Sequence, residues 1–522
     1  MDVQIYDTTL RDGTQREGIS LSCDDKMAIA RKLDELGVAF IEGGWPGSNP
    51  KDAEFFARAA GLRLKHAVIT SFGSTCRVGG KAEDDQNIAA LVASGTSVCA
   101  LVGKTSPFHV REVLRTTPEE NLRIIRESTA YLAGKGRRVF YDAEHFFDGY
   151  KLDREYALAT LRAAAEGGAE ILVLCDTNGG TMPWEVASIV ADVRGAAVGP
   201  LGIHTHNDAE CAVANAMAAV REGAVQVQGT INGYGERCGN ANLVSVIANL
   251  SLKLKKECIP AGSLARLTET AHYVAEIANL SPDNHLPYVG KSAFAHKGGI
   301  HVAAIRRTPD SYQHCDPALV GNEMRVVVSE LSGRANLASK SEEFGLGEVD
   351  PDMMTSVLGQ IKSLEARGFS FEAAEASVAL MMRREQDGYV PPFELIDLTV
   401  NVEHRDKRGI FAEATVKLNV GGDVIHTVAE GNGPVNALDT AVRKALTPVY
   451  PRLGSFRLAD YKVRILDGTN GTGATTRVLI ETQNGTRRWS TVGASANIIE
   501  ASWRALADSI EYGLTSGEEK TA

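Results

Sequence analysis

Two histidines one residue apart, His204 and His206, close a short apolar run in "GPLGIHTHNDAE". In a strand, residues i and i+2 share a face, so the two imidazoles project side by side, roughly 6.5–7 Å apart along the backbone. Neutral imidazoles so placed suit one metal ion. Two strand-end histidines meeting water or a carbonyl would give the same pattern. Other reactive side chains lie far off in sequence: Arg11 and Asp12 in "DTTLRDGTQREG", Glu42, Thr70 and Ser71, Glu144, Asp176 and Thr177, and Glu236, Arg237 and Asn240 in "NGYGERCGNANL". Asp12, His204 and His206, with an amide oxygen from Asn240, make a mixed oxygen and nitrogen donor set with open positions. Such a set fits Mn²⁺, Mg²⁺ or Zn²⁺ acting as a Lewis acid. No thiolate belongs to it, which argues against a structural zinc. Arg11 offers a permanently charged fork to an oxyanion, and Glu144 a general base or an orienting carboxylate.

Residues so scattered meet only if the fold collects them. Through residue 265 the chain repeats one phrase: an amphipathic helix, a glycine that can end it, then a short apolar strand. Gly37, Gly95, Gly136, Gly167 and Gly223 stand where a helix would end in a left-handed residue. Strands are expected over residues 3–7, 39–43, 64–70, 97–102, 138–142, 171–176, 201–206 and 225–231. That alternation predicts a (β/α)₈ barrel, a TIM barrel, over residues 1–265. A doubly wound sheet is the competing architecture, but no Gly-rich nucleotide loop follows the first strand. In a parallel barrel the C-terminal strand ends share one mouth, and the residues named above fall at those ends. Residues 266–390 read as a helical linker subdomain. Residues 391–516 read as an α+β domain with an internal repeat, Val424–Leu446 echoed by Arg487–Ile510. The tail "SGEEKTA" reads as frayed.

Composition narrows the class. The 522 residues suggest two or three domains, and 44% apolar with 23% charged residues is ordinary for globular protein. A net charge of −11 argues against nucleic acid or an anionic membrane as the main partner. No apolar run approaches the ~18 residues of a membrane span. Eight scattered cysteines without a CxxC pair read as reduced thiols of a cytoplasmic protein.

"DTTLRDGTQREG", "GIHTHNDAECAVANA" and "GYGERCGNANL" resemble the DRE-TIM metallolyases, specifically the 2-isopropylmalate, homocitrate and citramalate synthases. "IEGGWPGSNPKD", "SFGSTCR", "YDAEHFFDGYK" and "YVGKSAFAHKGGIHVAA" look like the citramalate synthase subgroup. The resemblance implies Asp12, His204 and His206 as ligands of a divalent metal, with Asn240 at or beside it. It implies Arg11 as the group that polarises a keto oxygen, and Glu144 as a catalytic carboxylate near acetyl-CoA. It further implies that His301 and Tyr312 reach the partner subunit's barrel in a homodimer, and that the C-terminal domain senses an amino acid, isoleucine. Leu101 aligns with a position that helps set side-chain size, and Thr177 joins the substrate contacts. The implied reaction is condensation of acetyl-CoA with pyruvate to citramalate; 2-isopropylmalate synthesis from 2-oxoisovalerate is the alternative. A metal-dependent amidohydrolase carries its HxH on the first strand, whereas here that pattern ends the seventh.

Overall fold

The computed structural model describes residues 2–347, 350–406, 409–485 and 487–516; most of the C-terminal tail therefore lies outside the described residues. The chain forms two compact units, Met1–Phe294 with His314–Glu323, and Ala295–Gln313 with Met324–Ala522.

In the first unit eight parallel strands close a barrel: β1 (Gln4–Asp7), β2 (Phe40–Glu42), β3 (Val68–Ser74), β4 (Val98–Lys104), β5 (Arg138–Glu144), β6 (Ile171–Asp176), β7 (Leu201–Thr205) and β8 (Gln226–Gly229). β8 pairs with β1, so the sheet has no edge. The expected (β/α)₈ architecture is the observed one. The first helix, α1 (Cys23–Leu36), shows why the local sequence folds this way. Ser22 and Asp25 cap it reciprocally, and Met27, Ile29, Ala30, Leu33 and Leu36 line its buried face. Gly37 ends it at φ 92°, where a β-carbon would also lie 2.2 Å from Pro260 Cδ. Only glycine fits there.

Two local expectations move. Strand β3 starts at Val68 rather than residue 64, because the Asp34 carboxylate accepts the N–H groups of Lys65, His66 and Ala67 at 2.9, 2.7 and 2.8 Å. Those donors are spent on a side chain and cannot join the ladder. Gly167 ends its helix with right-handed backbone, and the left-handed position falls one residue later, on Gly168 (φ 92°).

Alternation sorts each strand's side chains between two layers. Tyr6, Phe40, Val98, Ala100, Phe140, Ile171 and Val173 fill the barrel, with the Tyr6, Phe40 and Phe140 rings 5.0–6.1 Å apart. Cys99 and Leu101 of β4 point outward and pack with Ile88, Leu91 and Val139. Leu101 therefore cannot touch a ligand in the barrel mouth; its neighbour Val102 lines the cavity there. The substrate contact expected of Leu101 is corrected on this ground: a one-residue phase difference puts it on the helix side. The helix Leu267–Ile277, read from the sequence as linker, buries Leu267, Ala271 and Val274 in the core of this first unit.

The second unit contains two copies of one motif. Strands Glu394–Arg405, Gly409–Val420 and Asp423–Gly431 form an antiparallel sheet followed by the helix Pro434–Leu446. Strands Arg457–Ile465, Thr476–Gln483 and Arg488–Ser495 form another, followed by the helix Ile498–Thr515. Ala437, Leu438, Ala441 and Val442 of the first helix join Val416 and Leu418 of its sheet in a core that also holds Ala501, Ala505 and Ile510 of the second helix. No helix among the described residues is long and apolar enough to cross a membrane, and all eight cysteines are free.

Asp7, at the end of β1, is fully buried and accepts the Thr9 N–H and hydroxyl, both at 2.9 Å. Burial pushes its carboxyl up to about 7. An unfolded aspartate titrates near about 3.9, so the folded barrel holds this proton more tightly and stability falls as pH rises from about 4 to about 7. Asp7→Asn is expected to flatten that decline; thermal unfolding midpoints at pH 5 and pH 8 check it.

Candidate active site

The mouth of the barrel encloses a cavity of about 580 Å³. On one wall stand Asp12, in the turn after β1, His204 in β7, His206 one step beyond it, and Asn240 in the loop after β8. The ligand atoms of Asp12, His204 and His206 lie within 4.8 Å of one another, and all three residues are buried. A single antiparallel bridge, His206 to Asn240, brings the last loop onto the cluster. The Asn240 amide nitrogen donates to Asp12 Oδ2 at 2.8 Å and lies 3.2 Å from His204 Nε2. Its oxygen is buried without a hydrogen-bond partner. A carboxylate, two imidazoles and an amide with an idle acceptor match the donor chemistry of a divalent cation; turning the amide over would present that oxygen to the cation.

Electrostatics agree. Burial alone would raise the Asp12 carboxyl, but Arg11, His204 and His206 bring it well below the usual carboxylate range. Burial and the neighbouring His204 lower His206 to about 4, so its ring is neutral at neutral pH. Burial also works against a charged His204, yet the Asp12 carboxylate outweighs it and draws that imidazole upward. A cation at this cluster would take over the role of that proton.

Arg11 is clamped. Its Nε donates to Glu42 Oε1 at 2.5 Å, Nη1 lies 3.5 Å from Asp12 Oδ1, and the guanidinium sits 3.9 Å over the Phe72 ring. Glu42 is held in turn by the Tyr6 hydroxyl at 2.7 Å, and Tyr6 by Thr70 at 2.8 Å. Glu144 faces the same cavity and forms an ion pair with Lys104, its lateral partner across β4 and β5. The Thr177 hydroxyl accepts the His145 N–H at 2.8 Å, tying the loop after β5 to the end of β6.

Arg11, Asp12, Glu144, Thr177, His204 and His206 thus line one cavity, with Asn240 behind them, as the sequence leads one to expect. His301 and Tyr312 belong to the second unit, where their exposed rings stack at 4.2 Å. Lys104, Phe72 and Gln228 are neighbours of these groups that residue types alone did not single out. The signal for Lys104 was its alternation phase with Val98, Ala100 and Val102, which carries inward past the expected strand end.

Residues 2–279 match the HMGL-like family, residues 288–368 the homocitrate synthase post-HMGL domain-like family, and residues 372–514 the LeuA allosteric (dimerisation) domain. The chain belongs to the HMGL-like family and groups within it with the (R)-citramalate synthases. It is 54% identical over 520 residues to the (R)-citramalate synthase of Geobacter sulfurreducens, covering 99% of this chain and 98% of that one. It is 53% identical over 527 residues to the (R)-citramalate synthase of Synechocystis, covering 98% and 96%. A 2-isopropylmalate synthase of Methanocaldococcus jannaschii is 30% identical over 525 residues, covering 99% and 96%.

Asp12 supplies the formal negative charge of the donor set. Asp12→Asn is expected to weaken Mn²⁺ binding at least about tenfold, roughly 1.4 kcal/mol, as read by calorimetry on metal-stripped protein.

Proposed function

We propose that this chain condenses acetyl-CoA with pyruvate and hydrolyses the resulting thioester, releasing (R)-citramalate and CoA. The observation that carries the reading is the clamped Arg11 beside the Asp12–His204–His206 cluster in one cavity, in a chain 54% identical to an (R)-citramalate synthase over nearly its full length. Asp12, His204 and His206 would hold the metal, Mn²⁺ or Mg²⁺ by preference and Zn²⁺ as the third candidate, with Asn240 at its edge. The bound cation supplies Lewis-acid polarisation of a 2-oxoacid.

The chain's own groups do the rest. Arg11 is spent on Glu42 through Nε and faces Asp12 through Nη1, which leaves Nη2 for the keto oxygen and for the charge that develops there. A base, Glu144 or His301, removes a proton from the acetyl methyl group. The enolate carbon forms the new bond to the keto carbon, whose π electrons move to oxygen and take up a proton. Water then cleaves the thioester, giving a carboxylate and free CoA thiol. Lys104 holds the Glu144 carboxylate in place at the cavity wall. His301 and Tyr312, exposed and stacked, are assigned to the partner's active site in a homodimer. Asp142, Val102 and Phe72 line the cavity where the 2-oxoacid side chain would lie, and a carboxyl among them favours the methyl of pyruvate over a branched apolar group. One methylene changes discrimination by only about 1–3 kcal/mol, so this contribution is modest.

Regulation by isoleucine in the second unit draws support from a cavity of about 370 Å³ at the N-terminus of the helix Pro434–Leu446. Phe456, Tyr461 and Ile480 give it apolar walls that suit an aliphatic side chain, and the ion pair of Arg443 with Asp439, at 2.9 Å, gives it a polar rim. Localisation is assigned to the cytoplasm, where reduced thiols persist.

Thiol release from acetyl-CoA, with Mn²⁺ present and pyruvate, 2-oxobutyrate or 2-oxoisovalerate offered separately, tests the function. Pyruvate is expected to be preferred, with isoleucine slowing the reaction; preference for 2-oxoisovalerate would make the chain a 2-isopropylmalate synthase. Arg11→Lys keeps a charge but loses the fork and the seat on Phe72. It is expected to lower kcat by about 10²-fold, with KM for acetyl-CoA little changed.

A further inference from the structure

Gln228 is a polar side chain inside a barrel packed mainly with apolar ones, and it is fully buried. It is the register partner of His204 across β7 and β8, so both side chains face inward at one level. Its Oε1 lies 2.9 Å from His204 Nδ1, and its Nε2 donates to Asp142 Oδ1 at 3.0 Å. Asp142 comes from β5, across the barrel, and is itself buried.

A primary amide has one end that only donates and one that only accepts. An ionised carboxyl group only accepts. Asp142 therefore orients Gln228 with its NH₂ toward the carboxyl and its carbonyl toward His204. An imidazole nitrogen facing that carbonyl must carry a hydrogen. With the hydrogen on Nδ1, the lone pair of the neutral ring sits on Nε2, the nitrogen 3.3 Å from Asp12 Oδ2.

We propose that Asp142 and Gln228 form a positioning relay that fixes the tautomer of His204 and so readies its Nε2 as a metal ligand. The inference rests on the reading of Asp12, His204 and His206 as the metal site. The relay reaches that site only through the far side of the His204 ring, so both residues position a ligand and do not act as ligands. It also links the cavity wall at Asp142 to the metal-binding wall, which makes one hydrogen-bond chain serve both.

The test uses full-length, metal-stripped protein labelled with ¹⁵N-histidine, at pH 9, well above the ordinary range of imidazole. Long-range ¹H–¹⁵N spectra read the tautomer, His204 being assigned by the signal lost in His204→Gln; Mn²⁺ affinity is measured separately by calorimetry. Wild type is expected to show the Nδ1–H form. Gln228→Met, near-isosteric but without donor or acceptor, is expected to mix the tautomers and to weaken Mn²⁺ binding about 10–100-fold. Gln228→Glu, whose carboxylate still accepts from Nδ1–H, is expected to restore the Nδ1–H form and most of the affinity. Asp142→Leu frees the amide to turn and is expected to blur the tautomer as well. An Nε2–H ring in wild type overturns the proposal without any variant. So does a Gln228→Met protein with the wild-type tautomer and affinity. Failure of wild type to bind Mn²⁺ would sink the metal reading instead, and the tautomer spectra would still judge the relay.

Discussion

A half-buried guanidinium between two buried carboxylates is the interaction on which the barrel mouth depends. Asp12 and Glu42 are both almost fully shielded from water, and each isolated charge would cost several kcal/mol to bury. Arg11 bridges them, with its plane on Phe72 and its Nε on Glu42. Burial would draw the guanidinium down, but the carboxylates of Asp12 and Glu42 hold it above its ordinary range. Because Tyr6 and Thr70 hold Glu42, the clamp extends from the reacting cavity to the aromatic layer that fills the barrel. In the proposed reaction the charge that stabilises these acids is also the charge offered to a developing oxyanion.

Lateral register does comparable work for the remaining side chains. In a parallel sheet, residues at one level on neighbouring strands point to the same side. Lys104 is level with Glu144, Val102 with Asp142, and His204 with Gln228. Each pair meets inside the barrel because backbone hydrogen bonds set those levels. The cavity wall is thus as rigid as the ladder beneath it, and active groups on strand ends need little further support.

The second unit solves a different problem with duplicated parts. Two antiparallel three-stranded sheets each lean on one helix, and both helices share one core. In the first copy the turn into the helix opens onto the apolar cavity beside Phe456 and Tyr461. The two copies share one strand–helix plan and little of their sequence.

The sequence by itself determined the element types of the barrel, the cap at Gly37, the duplicated C-terminal motif and the chemistry of Asp12, His204, His206 and Asn240. These are legible because hydrophobic periodicity, turn residues and donor chemistry are local properties, and the barrel rule then gathers the strand ends. Residue type and strand-end position also named Arg11, Glu144 and Thr177, which the fold places around the same cavity. Only the tertiary structure decided which face Leu101 and Val102 take, where β3 begins once Asp34 claims three backbone donors, and which of two glycines turns left-handed. It alone paired Lys104 with Glu144 and threaded Asp142 through Gln228 to His204. The physical reason is that a strand's inward face changes with a one-residue shift in phase. That phase is set by neighbouring strands and distant side chains, which no local pattern records.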